Sequence, residues 1–259
     1  MIDCHCHILS GIDDGAKDVE MSIEMARVAA ASGTTDIIAT PHHMNGVFSN
    51  KKPDILEAVQ SLNSLLSDQR IPLRIHPGSE LHLVPELIQQ IQSGEAMTFA
   101  DKGKAILLEL PKSVIPAGTE HILQNILYLG ITPIIAHPER NSVLRGDSDR
   151  LSKWLKLGCK TQLTAQSCSG DFGSALQKIC RRWVEEGWVH LVASDAHRSY
   201  GRSPNMQTGI SKITQWVGQE KTDVIVKHNP QHLLAGQPLE SISPTQKARS
   251  FGIFNWFRS

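Results

Sequence analysis

Seven short apolar segments recur along this chain, each followed by a stretch of helical periodicity, and that alternation limits the fold more than anything else in the sequence. The first runs from the amino terminus. The others are expected at 36–40, 73–76, 105–109, 133–136, 160–163 and 189–193. Between them, Val19, Ile23, Ala26 and Ala30 mark one helical face, which Asp18 can cap and Gly33 can stop. Ile55, Val59, Leu62 and Leu66 mark a second face behind Pro53, and Ile122, Ile126 and Leu129 a third. Strands that alternate with helices pair in parallel, because parallel neighbours need crossover connections. Near-continuous apolar runs such as Ile106 to Leu108 fit strands buried on both faces. The expected fold is α/β: a distorted (β/α)7 TIM-like barrel, with an open doubly wound sheet as the alternative. A single domain is expected over 1–245, followed by an aromatic-rich tail at 246–259 that holds Phe251, Phe254, Trp256 and Phe257.

Polar residues that bind metals sit at or just beyond the ends of these segments. They are His5 and His7, Asp14, His42, Glu80, Glu109, His137, Asp195 and His197. In a barrel the carboxyl ends of the strands converge on one mouth, so the nine are expected to form one cavity for two or three divalent ions. Imidazole mixed with carboxylate suits manganese, iron or zinc better than calcium, which prefers oxygen alone. On a regular pleat Asp3, His5 and His7 share one face of the first strand. Cys4 and Cys6 then point together toward the outer helices as unligated thiols. Arg140 and Arg202 follow metal-bearing positions by a few residues and are suited to hold phosphate oxygens.

Other classes are disfavoured. Lysine plus arginine number 26 and aspartate plus glutamate 26, so no basic excess supports nucleic-acid binding. No apolar run is long enough to span a membrane. Five irregularly spaced cysteines and the lack of a secretory leader point to a cytoplasmic protein with free thiols. The residues six beyond the cysteines are Ser10, Ile12, Ala165, Ser174 and Glu186. None is arginine, which removes the cysteine-dependent route to phosphate-ester hydrolysis.

The opening Met1-Ile2-Asp3-x-His5-x-His7-Ile8-Leu9-x-Gly11-Ile12-Asp13-Asp14-Gly15-Ala16 resembles that of the polymerase and histidinol phosphatase family. Thr40-Pro41-His42-His43, Gly78-x-Glu80, His137-Pro138-Glu139-Arg140 and Ala193-Ser194-Asp195-Ala196-His197 follow in that family's order. More narrowly, the chain is similar to bacterial capsule and exopolysaccharide-locus protein-tyrosine phosphatases, manganese-dependent enzymes that oppose tyrosine autokinases. The resemblance implies a seven-stranded barrel with three ions at its mouth. His5, His7, Glu80 and Asp195 would hold the first; Glu80 would bridge to a second, completed by Glu109 and His137; Asp14, His42 and His197 would hold the third. It implies a phosphotyrosine protein as partner, an autokinase tail, with a homo-oligomer left open. The expected chemistry is attack of a metal-activated water on phosphorus, with Arg140 and Arg202 neutralising the phosphate. The alternatives are a small-molecule phosphatase, such as a histidinol-phosphate phosphatase, and a metal-binding regulatory module without catalysis.

Overall fold

The computed structural model describes residues 1–245, so the aromatic tail lies outside the described residues. Nine strands occur in it: β1 (Ile2–Cys6), β2 (Asp36–Ala39), β3 (His42–His43), β4 (Arg74–His76), β5 (Glu80–His82), β6 (Ala105–Glu109), β7 (Thr132–Ala136), β8 (Lys160–Thr164) and β9 (Leu191–Ala193). All neighbours are parallel. They form a three-stranded sheet in the order β1-β2-β4 and a six-stranded sheet in the order β3-β5-β6-β7-β8-β9.

The expected single ring of seven strands is thus two sheets, because the expected strands at 36–40 and 73–76 are each followed, past a proline, by a further short strand that joins the other sheet. Thr40-Pro41 separates β2 from β3, and Pro77-Gly78-Ser79 separates β4 from β5. A proline has no N–H to give to a ladder, so each chain leaves one sheet at the proline and joins the other beyond it. Gly78 is required there: a Cβ would stand 2.7 Å from Ile38 Cγ2 and 3.0 Å from the Ala39 oxygen. The sheets meet again beside the other edge of β1. The Asp195 amide donates to the His5 oxygen (2.8 Å) and the His7 amide to the Ala196 oxygen (2.9 Å), around a single bridge between Cys6 and Ala196.

Helices cover the outer faces. The helix Val19–Ala31, capped by Asp18 through the Met21 amide, buries Met25, Ala26 and Ala29 beside Ile37. The helices Thr119–Tyr128 and Ser148–Leu157 bury Leu123, Ile126, Leu151 and Trp154 in one cluster with Ile106, Leu108 and Ile135. The alternate residues of the same strands, Leu107, Ile134, Ala136, Leu191 and Ala193, form a separate inner cluster. The two-sided burial read from the apolar runs is therefore what the strands have.

The cysteines depart from expectation. Asp3 pairs with Ile37 and Cys6 with Ala39, so three steps of β1 run against two of β2. That extra residue is a bulge, and it resets the alternation of faces. Cys6 packs toward Met25 and the outer helices as expected, whereas Cys4 joins the inner cluster with Leu107 and Ile134. Asp3 is also turned, accepting from the Ser194 amide at 3.0 Å, and burial pushes its carboxyl up to about 6. All five thiols are free and buried. Among the described residues no helix is long and apolar enough to cross a membrane.

Candidate metal centre

Parallel strands carry their carboxyl ends to one side, and all nine expected ligands lie there. His5 is in β1, His42 in β3, Glu80 opens β5, Glu109 ends β6, His137 follows β7, and Asp195 and His197 follow β9. Asp14 comes from the loop after β1. Gly15 holds that loop against the strand: a Cβ on it would stand 2.2 Å from the His7 oxygen. Two candidate ligands, His137 (φ 29°) and Asp195 (φ 50°), are non-glycine residues with left-handed backbone. Such strain costs about 1–3 kcal/mol each and persists only where the surroundings impose it.

The closest cluster is His5, His7, Glu80 and Asp195, all essentially fully buried. His5 Nε2 lies 3.2 Å from His7 Nε2, 3.4 Å from Glu80 Oε2 and 3.4 Å from Asp195 Oδ1. His7 Nε2 lies 3.4 Å and 3.5 Å from the same two oxygens. Four atoms held tetrahedrally about 2.1 Å from a common ion stand about 3.4 Å apart. The five separations given match that spacing pair by pair, and the ligand atoms of His5, His7 and Glu80, like those of His5, His137 and Asp195, come within 4.8 Å of one another. The set continues outward: Glu80 Oε1 is 2.9 Å from His137 Nε2, and Glu80 Oε2 is 3.1 Å from His42 Nδ1, which is 3.6 Å from Glu109 Oε2. Asp14 Oδ1 lies 3.4 Å from His42 Nε2 and 3.3 Å from His197 Nε2. Ligand atoms of His7, Asp14, His42 and His197 come within 4.8 Å of one another, as do those of His42, Glu80 and Glu109.

Two polar atoms at the heart of the cluster, Glu80 Oε2 and His42 Nδ1, are buried with no hydrogen-bond partner. An unpartnered buried carboxylate oxygen is costly, and a divalent cation among these imidazoles would supply what the oxygen lacks. The donor set and its spacing fit such an ion. Electrostatics agree. Burial pushes the Glu80 carboxyl up, yet His5, His137 and His42 outweigh it and hold it well below the carboxylate range. Burial also opposes ionisation of Asp195, but His5 and His7 keep it charged. In turn burial pulls His5 and His7 down, and the carboxylates, with Asp13 for His7, raise both above the imidazole value.

Several supporting residues were not anticipated. Asp13 Oδ2 accepts from His7 Nδ1 at 2.7 Å and from the His42 amide at 3.1 Å. Gln162 Oε1 accepts from His5 Nδ1 at 2.9 Å. Each leaves the opposite ring nitrogen, Nε2, turned toward the cluster with its lone pair available. Glu139, fully buried, accepts from the Thr164 amide at 2.9 Å and ties the segment after β7 to β8. Asp13 adjoins Asp14, which could have marked it, whereas Gln162 lies in a mostly polar strand, Lys160–Thr164, where nothing sets it apart. Arg140 and Arg202 both reach the cluster. Arg140 Nη1 donates to Asp195 Oδ2, and Arg202 Nη2 donates to the same oxygen at 2.7 Å.

Comparison with known proteins gives a consistent picture. Residues 1–235 match the family described as capsular polysaccharide synthesis, CpsB/CapC. The chain is 37% identical to the tyrosine-protein phosphatase YwqE of Bacillus subtilis, over 98% of this chain and 100% of that one. It is 30% identical to the tyrosine-protein phosphatase CpsB of Streptococcus pneumoniae, over 92% and 99%. Its structure superposes with a TM-score of 0.91, at 37% identity and covering 95% and 98% of the two chains, on one solved among crystal structures of YwqE and CpsB, described as metal-dependent tyrosine phosphatases. The histidinol phosphate phosphatase of Lactococcus lactis shares the fold alone, with a TM-score of 0.57, 13% identity and coverage of 84% and 94%. With a family match across nearly all the described residues, and relatives alike end to end, the chain belongs to the CpsB/CapC family of capsular polysaccharide synthesis.

Proposed function

We propose that this chain is a metal-dependent protein-tyrosine phosphatase of capsule or exopolysaccharide synthesis, acting on a phosphotyrosine protein such as the tail of a tyrosine autokinase. One observation carries the reading: Glu80 Oε2, buried and unpartnered, is ringed by His5, His7 and His42 in a chain whose relatives YwqE and CpsB are named tyrosine-protein phosphatases. His5, His7, Glu80 and Asp195 are assigned to one ion, Glu80, Glu109 and His137 to a second, and Asp14, His42 and His197 to a third. Manganese is the metal favoured, with zinc and iron as rivals. Divalent ions held there supply Lewis acidity and a water acidified toward neutral pH.

The chain's own residues do the rest. Asp13 and Gln162 fix the tautomers of His7 and His5. Arg140 and Arg202, now sharing one oxygen of Asp195, have in a phosphate at the mouth a second acceptor for their remaining N–H groups. Held between two guanidinium groups, the phosphate has fixed positive charge beside it as negative charge shifts toward the leaving oxygen. A tyrosine phenolate, whose conjugate acid has a pKa of about 10, leaves with little help from a proton donor. Taking β2 with β3 and β4 with β5, the nine strands fill seven positions, the (β/α)7 barrel proposed as a single domain over 1–245. Five unpaired buried thiols support a reducing cytoplasmic setting.

The test is hydrolysis of p-nitrophenyl phosphate with each added divalent metal and with chelator, then of a phosphotyrosine peptide against histidinol phosphate. Metal-dependent turnover with preference for the peptide is expected. Turnover in no metal would favour a regulatory module, and preference for histidinol phosphate a small-molecule enzyme. Arg140→Ala is expected to lower kcat/KM by roughly 10- to 100-fold, the worth of a charge-assisted contact, with metal content unchanged. Loss of metal would make Arg140 a support for Asp195 instead.

A further inference from the structure

Two phenylalanines stand beside the metal centre without belonging to any of the three hydrophobic clusters: Phe48 and Phe172, both half-buried. Each is presented by a short loop whose backbone is fixed. After β3, Asn45 Oδ1 accepts from the Val47 amide (3.0 Å) and the Phe48 amide (2.8 Å), with Gly46 in the left-handed region. The Met44 amide donates to the Phe48 oxygen (3.0 Å), and His43 pairs with Ser49. Asn50 then ties the returning chain to the His42 and Ile12 oxygens, at 2.8 and 2.9 Å. This tight turn lays the Phe48 ring nearly parallel to His42, at 10° and 6.3 Å between centroids.

After β8, Phe172 lies between Gly170 and Gly173, both left-handed. Gln177 Nε2 secures the preceding turn through the Cys168 oxygen (3.1 Å) and the Ser169 oxygen (2.8 Å). The ring centroid is 5.9 Å from the Arg140 guanidinium carbon, within cation–π range. Thus one ring lies against a candidate metal ligand and the other against a candidate phosphate ligand. Apolar faces placed so, and not consumed by the core, are available to a substrate.

We propose that Phe48 and Phe172 form the site for the substrate's aryl group, so that the centre selects aryl over alkyl phosphate monoesters. This rests on the phosphatase reading. In an aryl phosphate the ring is one oxygen from phosphorus, so a phosphate held by Arg140 keeps the ring close to the guanidinium that Phe172 faces. An alkyl ester has a methylene there and offers no face to stack. Offset or edge-to-face contact with a phenyl ring supplies the preference.

The experiment measures kcat/KM for phosphotyrosine and for phosphoserine, with inhibition by inorganic phosphate, in Phe48→Ala, Phe172→Ala and the double variant. Phosphotyrosine kcat/KM is expected to fall roughly 3- to 10-fold in each single variant, and further in the double. Phosphoserine turnover and phosphate inhibition are expected to stay within about twofold, which a distorted metal centre would not allow. Phe48→Leu and Phe172→Leu, which keep apolar volume and fold, should still lose part of the aryl preference. An unchanged ratio of aryl to alkyl kcat/KM in the leucine and alanine variants would overturn the inference alone. Wild-type protein with no turnover in any metal would remove the phosphatase reading and the inference with it.

Discussion

Replacing Gln162 by leucine isolates one hydrogen bond beneath the metal centre. Gln162 is fully buried; its Oε1 accepts from His5 Nδ1 at 2.9 Å while its Nε2 donates to the Leu163 oxygen at 2.8 Å. The acceptor holds the proton on Nδ1 and turns the Nε2 lone pair toward Glu80 and Asp195. Leucine fills similar space but leaves a buried N–H unsatisfied, a cost of about 1–3 kcal/mol. Part of that cost is met by turning the ring or moving the proton, and either change spoils His5 as a ligand. Loss of an outer hydrogen bond of this kind weakens metal binding by about 10- to 100-fold, which is about 1.4 to 2.7 kcal/mol. The two figures agree in size. Competition with a chromophoric chelator measures metal affinity, and turnover at saturating metal measures what remains. Gln162→Leu should bind metal about 10- to 100-fold more weakly and recover much of its rate when metal is raised. Gln162→Glu, which restores an acceptor, should bind near normally. Wild-type affinity in the leucine variant, or equal weakness in both, would refute the tautomer argument.

Two other perturbations follow from the same structure. Gly15→Ala puts a Cβ within 2.2 Å of the His7 oxygen and 2.4 Å of the His7 Cβ, so the loop bearing Asp13 and Asp14 must move; lowered thermal stability and loss of metal by elemental analysis are expected, and unchanged values would show that the loop yields freely. His190 is buried, accepts from the Thr161 amide at 3.3 Å, and is pushed down to about 3 by burial and by Lys160. Its folded pKa is below the unfolded value of about 6.5, so its contribution is whole above that pH and is lost as pH falls toward the folded value. The slope is about 1.4 kcal/mol per unit, or about 3 kcal/mol between about pH 6.5 and pH 4. Chemical denaturation should therefore show stability falling more steeply with acid in the wild type than in His190→Gln, and parallel curves would remove His190 as a cause.

Much of the candidate site was legible because the residue types that bind cations have few substitutes and parallel strands deliver their ends to one side. His5, Glu80, Glu109, His137 and Asp195 could be read at strand ends and do lie together. Asp18 and the apolar stripe behind it foretold a helix, since capping and periodicity are local. What could not be read depends on partners distant in sequence. The bulge that separates Cys4 from Cys6 exists only in the pairing of β1 with β2. The exchange of sheets at Pro41 and Pro77 needs two strands to break side by side. Gln162 gains its role only because β8 passes behind His5, and no pattern along the chain records that neighbour.

The seam where His5 and His7 meet Asp195 and Ala196 joins stretches almost two hundred residues apart. A nascent chain carries its first imidazoles long before the acid that completes their cage has been synthesised. Capture of the ion proposed for His5, His7, Glu80 and Asp195 therefore waits until the segment after β9 has been made. A truncation that stops short of β9 should leave a protein unable to hold its first ion, however well its earlier helices form.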